Sequence, residues 1–298
     1  MIFDKIKKIE VEVFSKCNRR CNWCPNVALD RLKENFHMDE ETYLRLLHNL
    51  KDNGFKGEIS FSRYNEPTAN HKVLQKRVRQ AKEILPNNYM LCNTNGDYLR
   101  RKGDEILDGL MLDELNIMDY DCRGIEHGKE LFKKCNIKEK SKKGFTGNQQ
   151  AKYSANNKLI GEYKNIKIVH YYADWPKHHQ IETRGGFFID SKTGKPKKVI
   201  SNYGNKGVEV PFKKNATRRK HPCNKPTINM NIDFNGVVNP CCHIRSDNPE
   251  HEKYGLGNIN EMSVHEIYTS EKAVKFRKLL MSGNWQDYPD PCKYCTKG

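Results

Sequence analysis

No stretch of this 298-residue chain is apolar for long enough to cross a bilayer, so no transmembrane helix is expected. A secretory signal is missing as well: the N-terminus, MIFDKIKKIEVEVF, alternates too strictly and carries too many charges. Acid is scarce, with 37 Asp and Glu against 53 Lys and Arg, giving a formal charge of +16. Much of that surplus lies in KKCNIKEKSKKGFTGNQQAKYSANNK and DSKTGKPKKVISNYGNKG, which lack apolar periodicity and read as solvated loops rather than a nucleic-acid face. No internal repeat of fixed period is present.

Cysteine is plentiful. Eleven cysteines without a secretory signal point to a reducing compartment, the cytoplasm, where clustered thiols hold metal more often than they pair. Cys17, Cys21 and Cys24 form C-x3-C-x2-C. Cys223, Cys241, Cys242, Cys292 and Cys295 cluster late, while Cys92, Cys122 and Cys135 stand alone.

The hydrophobic pattern alternates strands with helices. KIEVEV, GEISFS, NYMLCNTNG, LDELNIM and NIKIVHYY read as strands. MDEETYLRLLHNL reads as a helix capped by Asp39 with Tyr43, Leu46, Leu47 and Leu50 on one face, and further helices are expected from about His71 to Leu85 and over DYLRRKGDEILDGL. Such alternation implies an α/β fold with a parallel sheet, whose chemistry collects at the carboxyl ends of the strands. The three-cysteine loop, RYNEP and NTNGD each follow a predicted strand, so they are expected on one rim. From about His221 the character changes: CNKPTINMNIDFNGVVNPCC reads as a hairpin around Asn235-Gly236, SVHEIYTSEKAVKFRKLLMSG as helical, and PDPCKYC closes the chain. The expected domains are 1–220 and a small metal-stabilised appendage, 221–298.

Three close thiolates bind zinc or iron. A structural zinc site needs four protein ligands, and the nearest histidine to complete one is His37. An iron–sulfur cubane on three cysteines leaves one iron open, and the spacing favours that reading. The late set, C-x17-C-x50-C-x2-C over Cys223, Cys241, Cys292 and Cys295, suits a zinc ribbon or a second cluster.

C-x3-C-x2-C directly after a first strand, with Trp23 before its last cysteine, resembles the radical S-adenosylmethionine (radical SAM) enzymes. The late cysteines resemble the twitch or SPASM auxiliary-cluster domains of that superfamily. The resemblance implies a partial (β/α)6 barrel with a small C-terminal iron–sulfur domain, two [4Fe–4S] clusters and SAM, which the open iron chelates. Cys17, Cys21 and Cys24 would hold the first cluster and Cys223, Cys241, Cys292 and Cys295 the second, with Cys241 preferred to Cys242. Tyr64, Asn65 and Glu66 of YNEP stand where the family has a Gly-Gly-Glu-Pro-like SAM motif, Asn65 replacing the usual second glycine. Asn93, Thr94 and Asn95 fall where family members place polar contacts to SAM.

The motif order is most similar to alcohol-oxidising members of the superfamily. The implied reaction is hydrogen abstraction by a 5′-deoxyadenosyl radical from a hydroxyl-bearing carbon of a small polyol, cyclitol or sugar. Oxidation to the ketone would pass one electron to the auxiliary cluster, and the first cluster would be reduced by an external donor such as flavodoxin or ferredoxin. Arg184, in TRGG, is the candidate substrate contact: a guanidinium does not act as a base but stabilises charge developing on the alcohol oxygen. His170, His178 and His179 are candidate proton acceptors.

Three other readings compete. An epimerase would use a cysteine hydrogen donor, Cys122 or Cys242. A peptide-modifying enzyme is expected to carry an N-terminal leader-binding domain, for which a motif starting at residue 17 leaves no room. A zinc-stabilised nucleic-acid-binding protein would explain the charge but not an open three-cysteine loop at a strand end.

Overall fold

The computed structural model describes residues 2–21, 24–27, 31, 33–121, 123–143, 157–172, 219 and 221–295. Among these the strands are β1 (Lys8–Val11), β2 (Glu58–Ser60), β3 (Met90–Thr94), β4 (Glu114–Asp119), β5 (Lys138–Lys143), β6 (Lys158–Tyr163), β7 (Ile166–Tyr172), β8 (Asn229–Ile232), β9 (Val237–Asn239) and β10 (Gly257–Asn258). The α-helices are α1 (Glu40–Asp52), α2 (His71–Ile84), α3 (Leu99–Asp108), α4 (Gly124–Lys134), α5 (Lys225–Ile228), α6 (Val264–Thr269), α7 (Glu271–Met281) and α8 (Asp290–Lys293). They fall into two compact units: Met1–Gly57 with Arg63–Asn65 and Gln180–Gly298, and Glu58–Ser62 with Glu66–His179.

In the first unit β1 runs parallel to β8, with Lys8 opposite Asn229 and Val11 opposite Ile232. β9 pairs antiparallel with β8 and β10 antiparallel with β9. Ile9, Val11 and Val13 are fully buried, as their alternation predicts. Asp39 caps α1 by accepting from Glu41 N, and the helix buries Tyr43, Leu46, Leu47 and Leu50. The β8–β9 hairpin turns at Asn235-Gly236, where Gly236 has φ +81°; a side chain there would be strained. The segment expected to be one helix from Ser263 is two, α6 and α7. Ser270 adopts extended backbone between them, and its side chain accepts from Ala273 N to cap α7.

In the second unit β2, β3, β4 and β7 lie side by side and parallel. Helices α2, α3 and α4 follow β2, β3 and β4 in turn, as a β–α–β progression requires. β6 then pairs antiparallel with β7, and β5 with β6. β5 corrects the expectation that KKCNIKEKSKKGFTGNQQAKYSANNK is solvated loop, while residues 144–156 of that stretch lie outside the described residues. β6 buries Leu159, Gly161 and Tyr163 on one face. β5 ends the run, where an edge position leaves Lys138 and Lys140 in water.

Candidate functional site

The loop bearing Cys17, Cys21 and Cys24 leaves the carboxyl end of β1, and all three cysteines are partly exposed. The backbone orders it locally: Cys17 N donates to Arg31 O (2.9 Å), Cys24 N to Cys21 O (2.9 Å), and Arg19 N to Cys17 Sγ (3.5 Å). An amide aimed at a sulfur suits a thiolate that carries iron. His37, the candidate fourth ligand of the zinc alternative, instead hydrogen-bonds Asn35 Nδ2 (2.9 Å) and packs at a tilt against Phe14.

The late cysteines converge. Cys223, Cys241, Cys242, Cys292 and Cys295 line one cavity together with Arg219, and it is partly open to solvent. Cys223 is held by its amide, which donates to Leu280 O (3.0 Å), and Cys292 is carried on α8. Leu280, Tyr288, Phe276, Leu279 and Trp285 pack behind them. Burial first, then the neighbouring thiols, pushes the Cys241 and Cys292 thiols up. Burial opposes the charge on Arg219, but Cys295 and Cys223 hold its proton on. A sulfur-rich, apolar cavity of this kind fits a thiolate-ligated cluster, whose positive irons supply the charge that buried thiolates need. Both Cys241 and Cys242 stand on its wall.

In the second unit Glu66 is fully enclosed and its carboxylate is filled. Oε1 accepts from Thr68 N (3.0 Å), Thr68 Oγ1 (2.5 Å) and Thr94 Oγ1 (2.5 Å), and Oε2 accepts from Asn95 N (2.7 Å). Burial pushes this carboxyl up and the four donors oppose it. Glu66 therefore ties YNEP to the NTNGD turn. Asn93 donates through N (3.1 Å) and Nδ2 (2.9 Å) to Ser62 Oγ, and Asp97 N donates to Asn95 Oδ1 (3.0 Å). Gly96 sits at φ +76°, and a Cβ there would come within 2.9 Å of Ile117. Beyond the turn Asp97 holds Arg100, which donates to His127 Nε2 (2.8 Å).

Asn65 and Tyr64 belong to the first unit. Asn65 Oδ1 accepts from Arg63 N (3.1 Å), reaching back two residues, and Asn65 is not at positive φ, so this turn does not require the family glycine. Its Nδ2 is buried without a hydrogen-bond partner among the described residues, a donor that fits the carboxylate of an amino-acid cofactor. Tyr64 turns its hydroxyl to Cys242 O (2.8 Å). His170 is 1% exposed, and its Nδ1 faces Gly128 so closely that a Cβ there would lie 2.5 Å away. Burial, with His127 and Arg100 adding to it against Asp119, lowers its pKa to about 4. Trp23, Cys122, His178, His179 and Arg184 lie outside the described residues.

Residues 223–296 match the SPASM family, an iron–sulfur cluster-binding domain. Over 97% of its length the chain is 28% identical to the S-adenosyl-L-methionine-dependent 2-deoxy-scyllo-inosamine dehydrogenase of Niallia circulans, spanning 92% of that protein. A crystal structure of BtrN in complex with AdoMet and 2-DOIA shares the fold, with TM-score 0.64 at 24% identity over 98% of this chain and 93% of that one. BtrN in an open conformation matches with TM-score 0.58 at 23% identity over 98% and 92%. The expected α/β fold is borne out, and the C-terminal residues expected to form an iron–sulfur domain are the ones that match the SPASM family. Apart from Arg219, the residues lining the cavity that gathers the late cysteines all fall within the matched residues 223–296.

Sequence reasoning missed Arg219, Ser62 and Thr68. Thr68 had a signal, since Glu-Pro-Thr is an N-cap followed by proline at the first helical position, and Glu66 does cap the single turn Pro67–Asn70. Arg219 had none beyond its place four residues before Cys223.

Proposed function

We propose that this protein is a radical SAM dehydrogenase that oxidises a hydroxyl-bearing carbon of a small cyclitol, polyol or sugar to a ketone. The observation that carries this reading is the convergence of Cys223, Cys241, Cys292 and Cys295 on one cavity. A cluster with four protein ligands has no open iron to seat SAM but accepts an electron, which an alcohol oxidation must place somewhere. The clusters and SAM supply the one-electron chemistry of hydrogen abstraction when bound.

The residues divide the remaining work. Cys17, Cys21 and Cys24 hold the cluster with the open iron, and Trp23 lies among them. Asn65 Nδ2 donates to SAM. Glu66 acts by fixing Thr94 and Asn95, with Asn93 tied to Ser62, so that the turn is rigid before cofactor arrives. Arg184 steadies the alcohol oxygen. The substrate class follows the dehydrogenase to which the chain is similar. The protein works in the cytoplasm and takes electrons from flavodoxin or ferredoxin.

The test is anaerobic reconstitution with iron and sulfide, followed by assay with SAM, reductant and aminocyclitols. Roughly eight irons per chain, and ketone formed together with 5′-deoxyadenosine, are expected. Zinc in place of iron, or SAM cleavage with an epimerised alcohol as product, would reject the reading. Cys122→Ala separates the last case: a dehydrogenase keeps its turnover, whereas an epimerase using that thiol loses it.

A further inference from the structure

One buried network closes the three-cysteine loop at both ends, and its far side lies in the SPASM domain. Arg31, beyond the loop's exit, donates from Nη1 to Glu12 Oε1 (2.5 Å) and Ser15 O (3.1 Å) at its entrance, while its own carbonyl accepts from Cys17 N (2.9 Å). Asn26, two residues past Cys24, donates to Tyr64 O (2.7 Å). Both anchors run to the same pair. Arg31 Nε and Nη2 donate to Asp247 Oδ2 (3.0 and 2.7 Å), and Arg245 Nη1 donates to Asn26 Oδ1 (3.0 Å). Arg245 grips Asp247 through Nε and Nη2 (2.8 and 2.6 Å), a bidentate pair.

Tyr64 links this pair to the auxiliary cysteines. Its ring lies 4.1 Å from the Arg245 guanidinium, its amide donates to Glu12 Oε1 (3.0 Å), and its hydroxyl donates to the carbonyl of Cys242. Arg63 pairs with Asp233 (2.8 Å) and donates to Ile244 O (2.9 Å). Glu12, Asp233 and Asp247 thus balance Arg31, Arg63 and Arg245. Arg245 is 0% exposed and Arg31 3%. Desolvating ions on this scale gains little net stability over an apolar core, so its value lies in fixing one register.

We propose that Arg245 and Asp247 are positioning residues for the N-terminal cluster, by which the SPASM domain sets the placement of Cys17, Cys21 and Cys24. The proposal rests on the reading that those cysteines hold a cluster. The SPASM domain then has two duties, its own cluster and the geometry of the other. The pair acts through Arg31 and Asn26, which touch the loop's two flanks.

The test uses the full chain, reconstituted anaerobically, as wild type, Arg245→Met and Asp247→Asn. Iron and sulfide are counted, and electron paramagnetic resonance of the reduced protein is recorded with and without SAM. Wild type should hold roughly eight irons, and each variant roughly four. The variants should keep the SPASM-cluster signal unmoved and lose the SAM-induced spectral change about tenfold or more. Asp247→Asn is isosteric and leaves Arg245 in place, so it answers if Arg245→Met does not accumulate. Variants that keep both clusters and a wild-type response to SAM would overturn the proposal. So would loss of both signals together, which marks general destabilisation. A wild type without iron would fail the functional reading itself, a result distinguishable from either.

Discussion

Glu66 and Asn65 are neighbours in sequence with opposite amounts of bonding capacity left. Four donors occupy the Glu66 carboxylate, while Asn65 Nδ2 has no partner among the described residues. Glu66→Gln would turn an amide NH2 toward donors with nothing to accept them. We expect a stability loss of about 1–3 kcal/mol, read by urea denaturation. Asn65→Ala removes one turn hydrogen bond, costing about 1 kcal/mol or less, but it should weaken SAM binding by roughly tenfold in equilibrium dialysis of reconstituted protein. Wild-type SAM affinity in Asn65→Ala would exclude Nδ2 as a cofactor contact.

At the scale of elements, α4 packs on β7 through Gly128, which leaves room only for the His170 ring. His170 has its pKa lowered to about 4, below the roughly 6.5 of an unfolded chain, so unfolding takes up a proton between those values. Stability should therefore fall as pH drops from about 6.5 to about 4, by up to about 3 kcal/mol from this group. His170→Phe should flatten that part of the profile, and an unchanged slope would mean the ring titrates normally in the fold. Asp247 adds a separate loss at lower pH: burial would raise its carboxyl, but Arg245 and Arg31 hold it well below the usual range, and protonation undoes that. These contacts show what a sequence leaves legible. The parallel strands and α1 to α3 could be read because Ile9, Val11 and Val13, or Tyr43, Leu46 and Leu47, repeat at the period of their element. β5 could not, because an edge strand of lysines has no apolar period to show. The cysteine spacing announced two clusters of ligands. Nothing local announced Arg245 or Asp247 as contacts of the loop, whose Arg31 and Asn26 lie more than two hundred residues away.

At the scale of the whole molecule, the +16 charge has no counterpart in the cysteine chemistry. A field of that sign attracts acidic macromolecules and raises their encounter rate, an effect that falls as salt shortens the Debye length from about 30 Å at 0.01 M to about 8 Å at 0.15 M. On the function proposed above, an electron donor would meet this protein anew for each reduction, so the charge would bear on that step first. We expect turnover driven by an acidic flavodoxin-type donor to fall about tenfold or more between those two salt concentrations. Turnover driven by a small chemical reductant should change far less, because it presents little charge to steer. The comparison is made on one reconstituted preparation, with donor kept below saturation so that association limits the rate. Equal salt dependence with both reductants would show that the basic residues serve solvation alone. A steep dependence confined to the protein donor would give the lysine surplus a function that the motifs do not contain.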